Sequence, residues 1–512
     1  MPVTTRRRSS HLQTSPSTAA TAATYPDVID FTTLQPTLSL SPSSSPSSKS
    51  IVAITPSEAT RILNERAFDA APPAASRLRK AQLASLPAHE ENEDAYAYEF
   101  VPDPLSRRAH DKSAGTTTGT FYWSFFAVYD GHYGFATSRY LKDVLIQAVY
   151  TDLLRLYDAH PPLAPPPSDE AVTATIAATF TRLDDDIISN IASTDHLHPP
   201  NPSTTVKCPH SRFDIATQGS CALLTFYDAR SNRLFTACTG DSRAVLGKRV
   251  GSAASTRWLA KPLSVDQNFA SNPAEVHRVR AEHPGEDGVI TQNRLMGDLA
   301  VSRAFGDARF KARDTPTPPL QFPPPDTAAS DGSGSEGSVD GSVDVHVPSL
   351  QSSIEEAGLL LRRMSTGTRS QIATPPYVTA EPVVSTYAAV RDGDFLILGS
   401  DGLWDFLSSE DAVALVGRWT DTHVNMQAGG NSSTGGGGKR QATRLTQSQM
   451  ETFVFESDEN AGVHLLRNAL GGARQGRLLF TLGLPPGREA AKRHRDDITV
   501  IVVFFAGSGG PL

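Results

Sequence analysis

The sequence predicts an α+β fold built on antiparallel β-sheets, and three observations predict it. Short β-branched and aromatic runs are joined by turn-like connections of a few residues. Few helices lie between those runs, which disfavours a doubly wound parallel sheet. Stripes at helical spacing occur elsewhere in the chain, apart from the strand pairs.

Taken in order, residues 121–129 (FYWSFFAVY) read as a strand buried on both faces, broken by Asp130-Gly131-His132. A helix follows over about 134–158, ended by Pro161 and Pro162. A second helix runs over about 169–192, with Ser168 as its N-cap. Its apolar residues Val172, Ile176, Phe180, Leu183, Ile187 and Ile191 recur every three or four positions. Residues 219–228 and 233–239 read as strands paired across Ala229–Asn232, and 243–247 as a strand after the Gly240-Asp241 break. A helix is predicted over 273–283 with Pro273 in its first turn, and buried strands over 394–399 and 498–505.

The chain has 512 residues, 37 Gly and 37 Pro, and much of its Pro, Gly, Ser and Thr sits in four stretches. These are about 1–50, 159–210, 312–374 and 424–450, and they read as unstructured. The remaining ~310–330 residues suffice for one large α/β domain. The stretches 312–374 and 424–450 read as surface insertions. A net charge of −8 argues against general nucleic-acid binding. The three Cys form no CxxC pair, so neither a disulfide framework nor a strong zinc motif is present, which suits a reducing compartment. The longest apolar run, 500–506, is far short of a membrane span. Residues 1–26 carry Arg6, Arg7 and Arg8 and no acidic residue. That composition suits a mitochondrial transit peptide, and equally a polar cytoplasmic tail, because 12–24 lacks an apolar stripe.

The informative pattern is acidic: Glu93-Asp94, Asp130, Asp241, Asp401 with Asp405, and Asp496-Asp497 each flank a predicted strand. A single Asp-Gly after a strand is usually a turn. Several together, at strand ends that converge on one edge of a sandwich, repel strongly unless cations neutralise them. Oxygen-only donors select Mg²⁺ or Mn²⁺ over zinc. Two such ions activate a shared water and clamp an in-line displacement at phosphorus. His132 supplies an imidazole to protonate a leaving alkoxide. No GxSxG motif is present, and no Cys lies in a phosphate-binding loop.

In order, ED (93–94), VYDGH (128–132), GSCALL (219–224), GDSRA (240–244), LAVSRAFGD (299–307), SDGLWD (400–405) and RDDITVIVV (495–503) resemble the metal-dependent protein phosphatases of the type 2C (PPM) family. The likeness spans about 76–506. Residues 266–285 and 375–382 look like the branch that contains pyruvate dehydrogenase phosphatase and its fungal mitochondrial relatives. The resemblance implies a four-layer sandwich of two antiparallel sheets flanked by helices. It implies hydrolysis of phosphoserine and phosphothreonine in a phosphorylated protein substrate, with two Mg²⁺ or Mn²⁺ per site and a weaker third. Carried over, Asp130 bridges the two metals and Gly131 offers its carbonyl. Asp401 and Asp496 ligate one metal, and Glu93 and Asp94 bind directly or through water. His132 is the general acid, and Asp241 and Asp405 match the third-metal site. The implied layout is a targeting or disordered segment over 1–50, a phosphatase domain over 51–506 and a tail over 507–512.

Two departures stand out. Many family members carry a phosphate-holding Arg four residues before the first Glu, where this chain has His89. Arg77 and Arg79 are the candidates to replace it. The branch has an ordered stretch where this chain has 312–374. Two other readings are weighed: a catalytically silent protein that keeps the fold for interactions, and a phosphodiesterase of another family. The first should have lost one of Asp130, Asp401 or Asp496, and all three are present. The second rests on the carboxylates alone.

Overall fold

The computed structural model describes residues 54–106, 120–160, 166–189, 211–252, 255–311, 373–428, 446–455, 458–487 and 489–506. The expected N-terminal segment, residue 191 of the second helix, most of the two insertions and the C-terminal tail lie outside these residues.

Two antiparallel sheets carry the fold. Their strands are β1 (Ala67–Ala70), β2 (Leu78–Leu86), β3 (Ala95–Pro102), β4 (Tyr122–Tyr129), β5 (Ala222–Asp228) and β6 (Arg233–Thr239), then β7 (Arg243–Ser252), β8 (Ser255–Pro262), β9 (Val383–Ala388), β10 (Phe395–Gly399) and β11 (Ile498–Phe505). The first sheet has the order β1-β2-β11-β10-β7-β8 and the second β9-β6-β5-β4-β3. Helices α1 (Pro56–Asn64), α2 (Ala136–Ala159) and α3 (Asp169–Ser189) precede α4 (Ser409–Ala428), α5 (Ala461–Leu470) and α6 (Gln475–Gly483).

Strand alternation builds the layers. On β4, Phe126 and Val128 meet Leu83 of β2, Leu398 of β10 and Ile501 of β11, so the two sheets pack face to face. The alternate residues Trp123, Phe125 and Ala127 pack under α2 and α3. On β11, Val500, Val502 and Phe504 face α4 and α5 instead. Helix–sheet–sheet–helix is therefore the four-layer sandwich that the sequence implied. The unbroken apolar reading of β4 and β11 follows, because both of their faces are buried.

The stretch 159–210, read as unstructured from composition, is corrected over Asp169–Ser189. Val172, Ile176, Phe180, Leu183 and Ile187 are all buried there, and Ser168 Oγ accepts the Ala171 amide at 3.3 Å. Pro-rich flanks mask a real amphipathic stripe in the average. Strand 219–228 is two pieces. Gly219–Ser220 pairs with Gly131–His132 and with Phe305–Gly306 in a small third sheet, and β5 starts at Ala222. A fourth cluster, including Phe269, Val279, Leu295 and Tyr377, packs helix Pro273–Glu282 and the short hairpin Ile290–Leu295 beside that sheet.

The register sets one edge of the sandwich. Leu86 at the end of β2 pairs with Ile498 at the start of β11. Gly399 at the end of β10 pairs with Val500 and with Arg243 at the start of β7. Tyr129 pairs with Ala95, and Thr239 with Ala222. The acidic residues singled out in the sequence sit in the connections at that edge, with Asp401 opening the short helix Asp401–Trp404.

Candidate active site

The carboxylates of Asp130, Asp241 and Asp401 each bring an oxygen within 4.8 Å of the others. The Asp401 amide donates to Asp130 Oδ2 at 3.3 Å. Asp94, on the loop into β3, is buried and accepts the Ser400 hydroxyl at 2.7 Å. Asp241 accepts from Asn268 Nδ2 at 3.0 Å and from the Cys221 thiol at 3.4 Å. Burial, and after it the charge of neighbouring carboxylates, pushes Asp94, Asp130 and Asp401 well above the usual carboxylate range. Asp241, Asp496, Asp405 and Glu93 are raised too, with burial the largest cause. Among the described residues, no Lys or Arg pairs with Glu93, Asp94, Asp130, Asp241 or Asp401. Among the described residues this group has no paired counter-ion, and its carboxylate donors are all oxygen, so the set fits hard divalent cations.

Asp496 lies at the exposed lip, in a second group with His89 and Asp497. Asp497, 3% exposed, accepts the backbone amides of Ala88, His89 and Glu93 and meets the His89 ring at 3.0 Å. Burial works against its charge, but His89 and these amides hold its pKa below the usual range. The bond to Asp497 in turn raises His89. Asp497 thus ties the loop carrying Glu93 and Asp94 to β11. The sequence reading passed over it as the neighbour of Asp496. Gly131 is needed for close approach: a Cβ there would lie 2.4 Å from the Glu93 carbonyl oxygen.

His132 is held from the far side. Its Nε2 sits 2.7 Å from Asp307 Oδ2, and Asp307 is fully buried. Burial disfavours the Asp307 charge, yet the adjacent His132 keeps its pKa low. Asp307 appeared in the sequence only as the last residue of the 299–307 motif.

Asp405 is exposed on the loop after β10. The structure brings Asp241 to Asp130 and Asp401, and does not group Asp405 with them. The expectation for Arg77 and Arg79 is corrected. Arg79 opens β2 and pairs with Asp392 at 2.7 Å, and Arg77 lies over the Phe121 ring. Both stand at the end of β2 opposite Glu93, ~25 Å away along a nine-residue strand. Lys and Arg charges that do act on the carboxylates are Lys492 on Glu93 and Arg243 on Asp405.

The family profile described as Protein phosphatase 2C matches residues 105–429. The chain belongs to the protein phosphatase 2C family. It is 36% identical to a protein phosphatase 2C homolog of Schizosaccharomyces pombe over 75% of this chain and 73% of that one. It is 30% identical to the mitochondrial pyruvate dehydrogenase (acetyl-transferring)-phosphatase 1 of Saccharomyces cerevisiae over 84% of this chain and 69% of that one. It is 31% identical to the human mitochondrial pyruvate dehydrogenase (acetyl-transferring)-phosphatase 2, covering 71% and 60%. This protein phosphatase 2C is a protein serine/threonine phosphatase, of a metal-dependent family, and its substrates are phosphoproteins. No helix among the described residues is long and apolar enough to cross a membrane.

Proposed function

We propose that this phosphatase works with two divalent cations, Mg²⁺ or Mn²⁺, held by Asp130, Asp401, Asp496, Glu93, Asp94 and the Gly131 carbonyl. The observation that carries the reading is the uncompensated group of Asp130, Asp241 and Asp401, with oxygens within 4.8 Å of one another. That proximity favours giving Asp241 to the main group and leaves Asp405 as the outer member of a weaker third site. When bound, such ions lower the pKa of water and neutralise charge on the phosphoryl oxygens.

The chain's own residues supply the proton. Asp307 occupies His132 Nε2, so Nδ1 is the atom left to face the substrate. The imidazolium carries its second proton there. It gives that proton to the seryl or threonyl oxygen as the P–O bond breaks, and His132 becomes neutral. Asp307 fixes the orientation of the ring. The carboxylate ring excludes a second fixed anion, so a phosphoryl group enters only with cations in place.

The domain is read as 51–506, with 1–50 as a mitochondrial targeting segment. The substrate is a mitochondrial phosphoenzyme of the pyruvate dehydrogenase kind. Two features support this: the names of the relatives and the acid-poor, Arg-containing residues 1–26. The test is phosphate release from a phosphothreonine peptide with Mn²⁺, with and without chelator, against a phosphodiester control. Phosphorylated pyruvate dehydrogenase and an unrelated phosphoprotein then serve as competing substrates. Chelator-insensitive release would end the metal reading, and equal rates on both proteins would end the substrate reading.

A further inference from the structure

A second cleft of ≈ 420 Å³ opens where the edge strands β1 and β3 of the two sheets meet the first turns of α2. That volume is in the range of small-ligand sites. Phe68 of β1 and Tyr96 of β3 form aromatic walls, their ring centroids 5.8 Å apart. Ser85, Asn92 and Asp94 also line it, on the side of the carboxylate centre.

These three polar groups are already hydrogen-bonded. Asn92 Nδ2 donates to Ser85 Oγ at 3.0 Å, and Ser85 Oγ is 3.2 Å from Thr499 Oγ1. Asp94 accepts from Ser400. Most of the lining charges are committed as well. Glu65 pairs with Arg61 at 3.4 Å, and Arg139 with Glu91 at 2.6 Å. Two are not: Arg66 and Lys142 have no carboxylate partner among the described residues. Both converge on Tyr96. Lys142 Nζ is 5.8 Å from its ring centroid, and Arg66 acts on its phenol, opposing the rise that burial causes.

Two uncommitted cations in one concave, partly aromatic site attract an anion. Of the two carboxylates in the lining, Glu65 is paired with Arg61 and Asp94 accepts from Ser400, and neither pairs with Arg66 or Lys142. A guanidinium and an ammonium together suit phosphate oxygens. We propose that this cleft binds a phosphate-bearing anion, with the phosphate between Arg66 and Lys142 and any flat group it carries against Tyr96 and Phe68. The site is distinct from the catalytic edge but shares Asp94 with it, so its ligand lies directly behind the centre.

The experiment uses the full chain in chelator, so that no divalent cation at the catalytic edge holds the phosphate. Calorimetric titration is run with orthophosphate in one arm and ADP in the other. A dissociation constant below about 1 mM in at least one arm is expected. Orthophosphate binding alone identifies free phosphate as the source, and ADP binding at least tenfold tighter identifies a nucleotide using the aromatic walls. The variant Arg66→Gln/Lys142→Gln weakens binding at least tenfold. Both side chains are exposed, so the fold and its melting temperature are retained, and each single substitution gives part of the loss. Arg474→Gln/Arg477→Gln, in a separate surface cavity, leaves affinity unchanged. No binding in either arm, or binding that survives loss of Arg66 and Lys142, overturns the proposal.

Discussion

Replacing Asp130 with Asn removes one negative charge from the group that Asp130, Asp241 and Asp401 form, and changes side-chain size little. Asn Oδ1 can still accept the Asp401 amide, now 3.3 Å from Asp130 Oδ2. The effect should therefore come from charge rather than packing. At an effective dielectric of ~20, two unit charges 4.8 Å apart repel by about 3 kcal/mol, with the separation set by the carboxylate group. Without cations the group escapes part of this by staying protonated, as the raised pKa of Asp130 indicates. Relief on losing one charge is thus about 1–3 kcal/mol, and melting in chelator holds or rises by several degrees. With cations the sign reverses. Lewis-acid stabilisation is worth several kcal/mol. Losing about 4 kcal/mol of it lowers turnover by ~10³-fold. The assay is turnover on a phosphothreonine peptide at saturating Mn²⁺, paired with calorimetric melting in chelator. Turnover within tenfold of wild type at saturating metal would refute the bridging role of Asp130 and the two-cation reading with it.

Gly219→Ala places a Cβ 2.0 Å from His132 Nε2 and 2.5 Å from Asp307 Oδ2. Turnover should fall ~10–100-fold with Mn²⁺ affinity unchanged by titration; equal loss of both would mean a general distortion. Glu275, bound by Arg303, Arg278 and Ser302, has its pKa pulled down to about 2 against burial, from 4.5. Its contribution, about 3 kcal/mol, is fully present above pH ~4.5 and is lost as pH falls toward 2. The urea-midpoint gap between wild type and Glu275→Gln should therefore shrink from pH 6 to pH 3, and a constant gap would contradict the shift. Deleting 317–370 with a short linker should leave peptide phosphatase activity within a few-fold, since that composition supports no core; a ~100-fold loss with circular dichroism unchanged would show that the segment shapes the site.

Several elements escaped the sequence reading for identifiable reasons. β3 (AYAYEFVP) and β9 (VVSTYA) are only partly buried, so they carry a mixed pattern rather than an apolar run. β1 has four residues, too few for a period. β8 includes Arg257, Lys261 and Pro262 at a sheet edge. Helix α5 has only 10 residues and buries the polar His464, Arg467 and Asn468 among its apolar ones, so it does not read as a core helix. β4 and β11 were legible as unbroken apolar runs, and α3 as a stripe recurring every three or four positions.

Local chemistry fixed the donors: carboxylates beside glycine at strand ends, a histidine after one of them, and no CxxC pair. Those residue types belong to single loops, so the chain order alone displays them. The partners belong to different loops. Asp307 reaches His132 from 175 positions away, and Asp497 holds the Glu93 amide from 404. Arg79 stands near Glu93 in sequence and at the opposite end of β2 in space. Such pairings follow from strand register and sheet packing, which depend on the whole core at once. Tertiary structure alone therefore decided which carboxylates converge, which are saturated by amides, and which cations remain free.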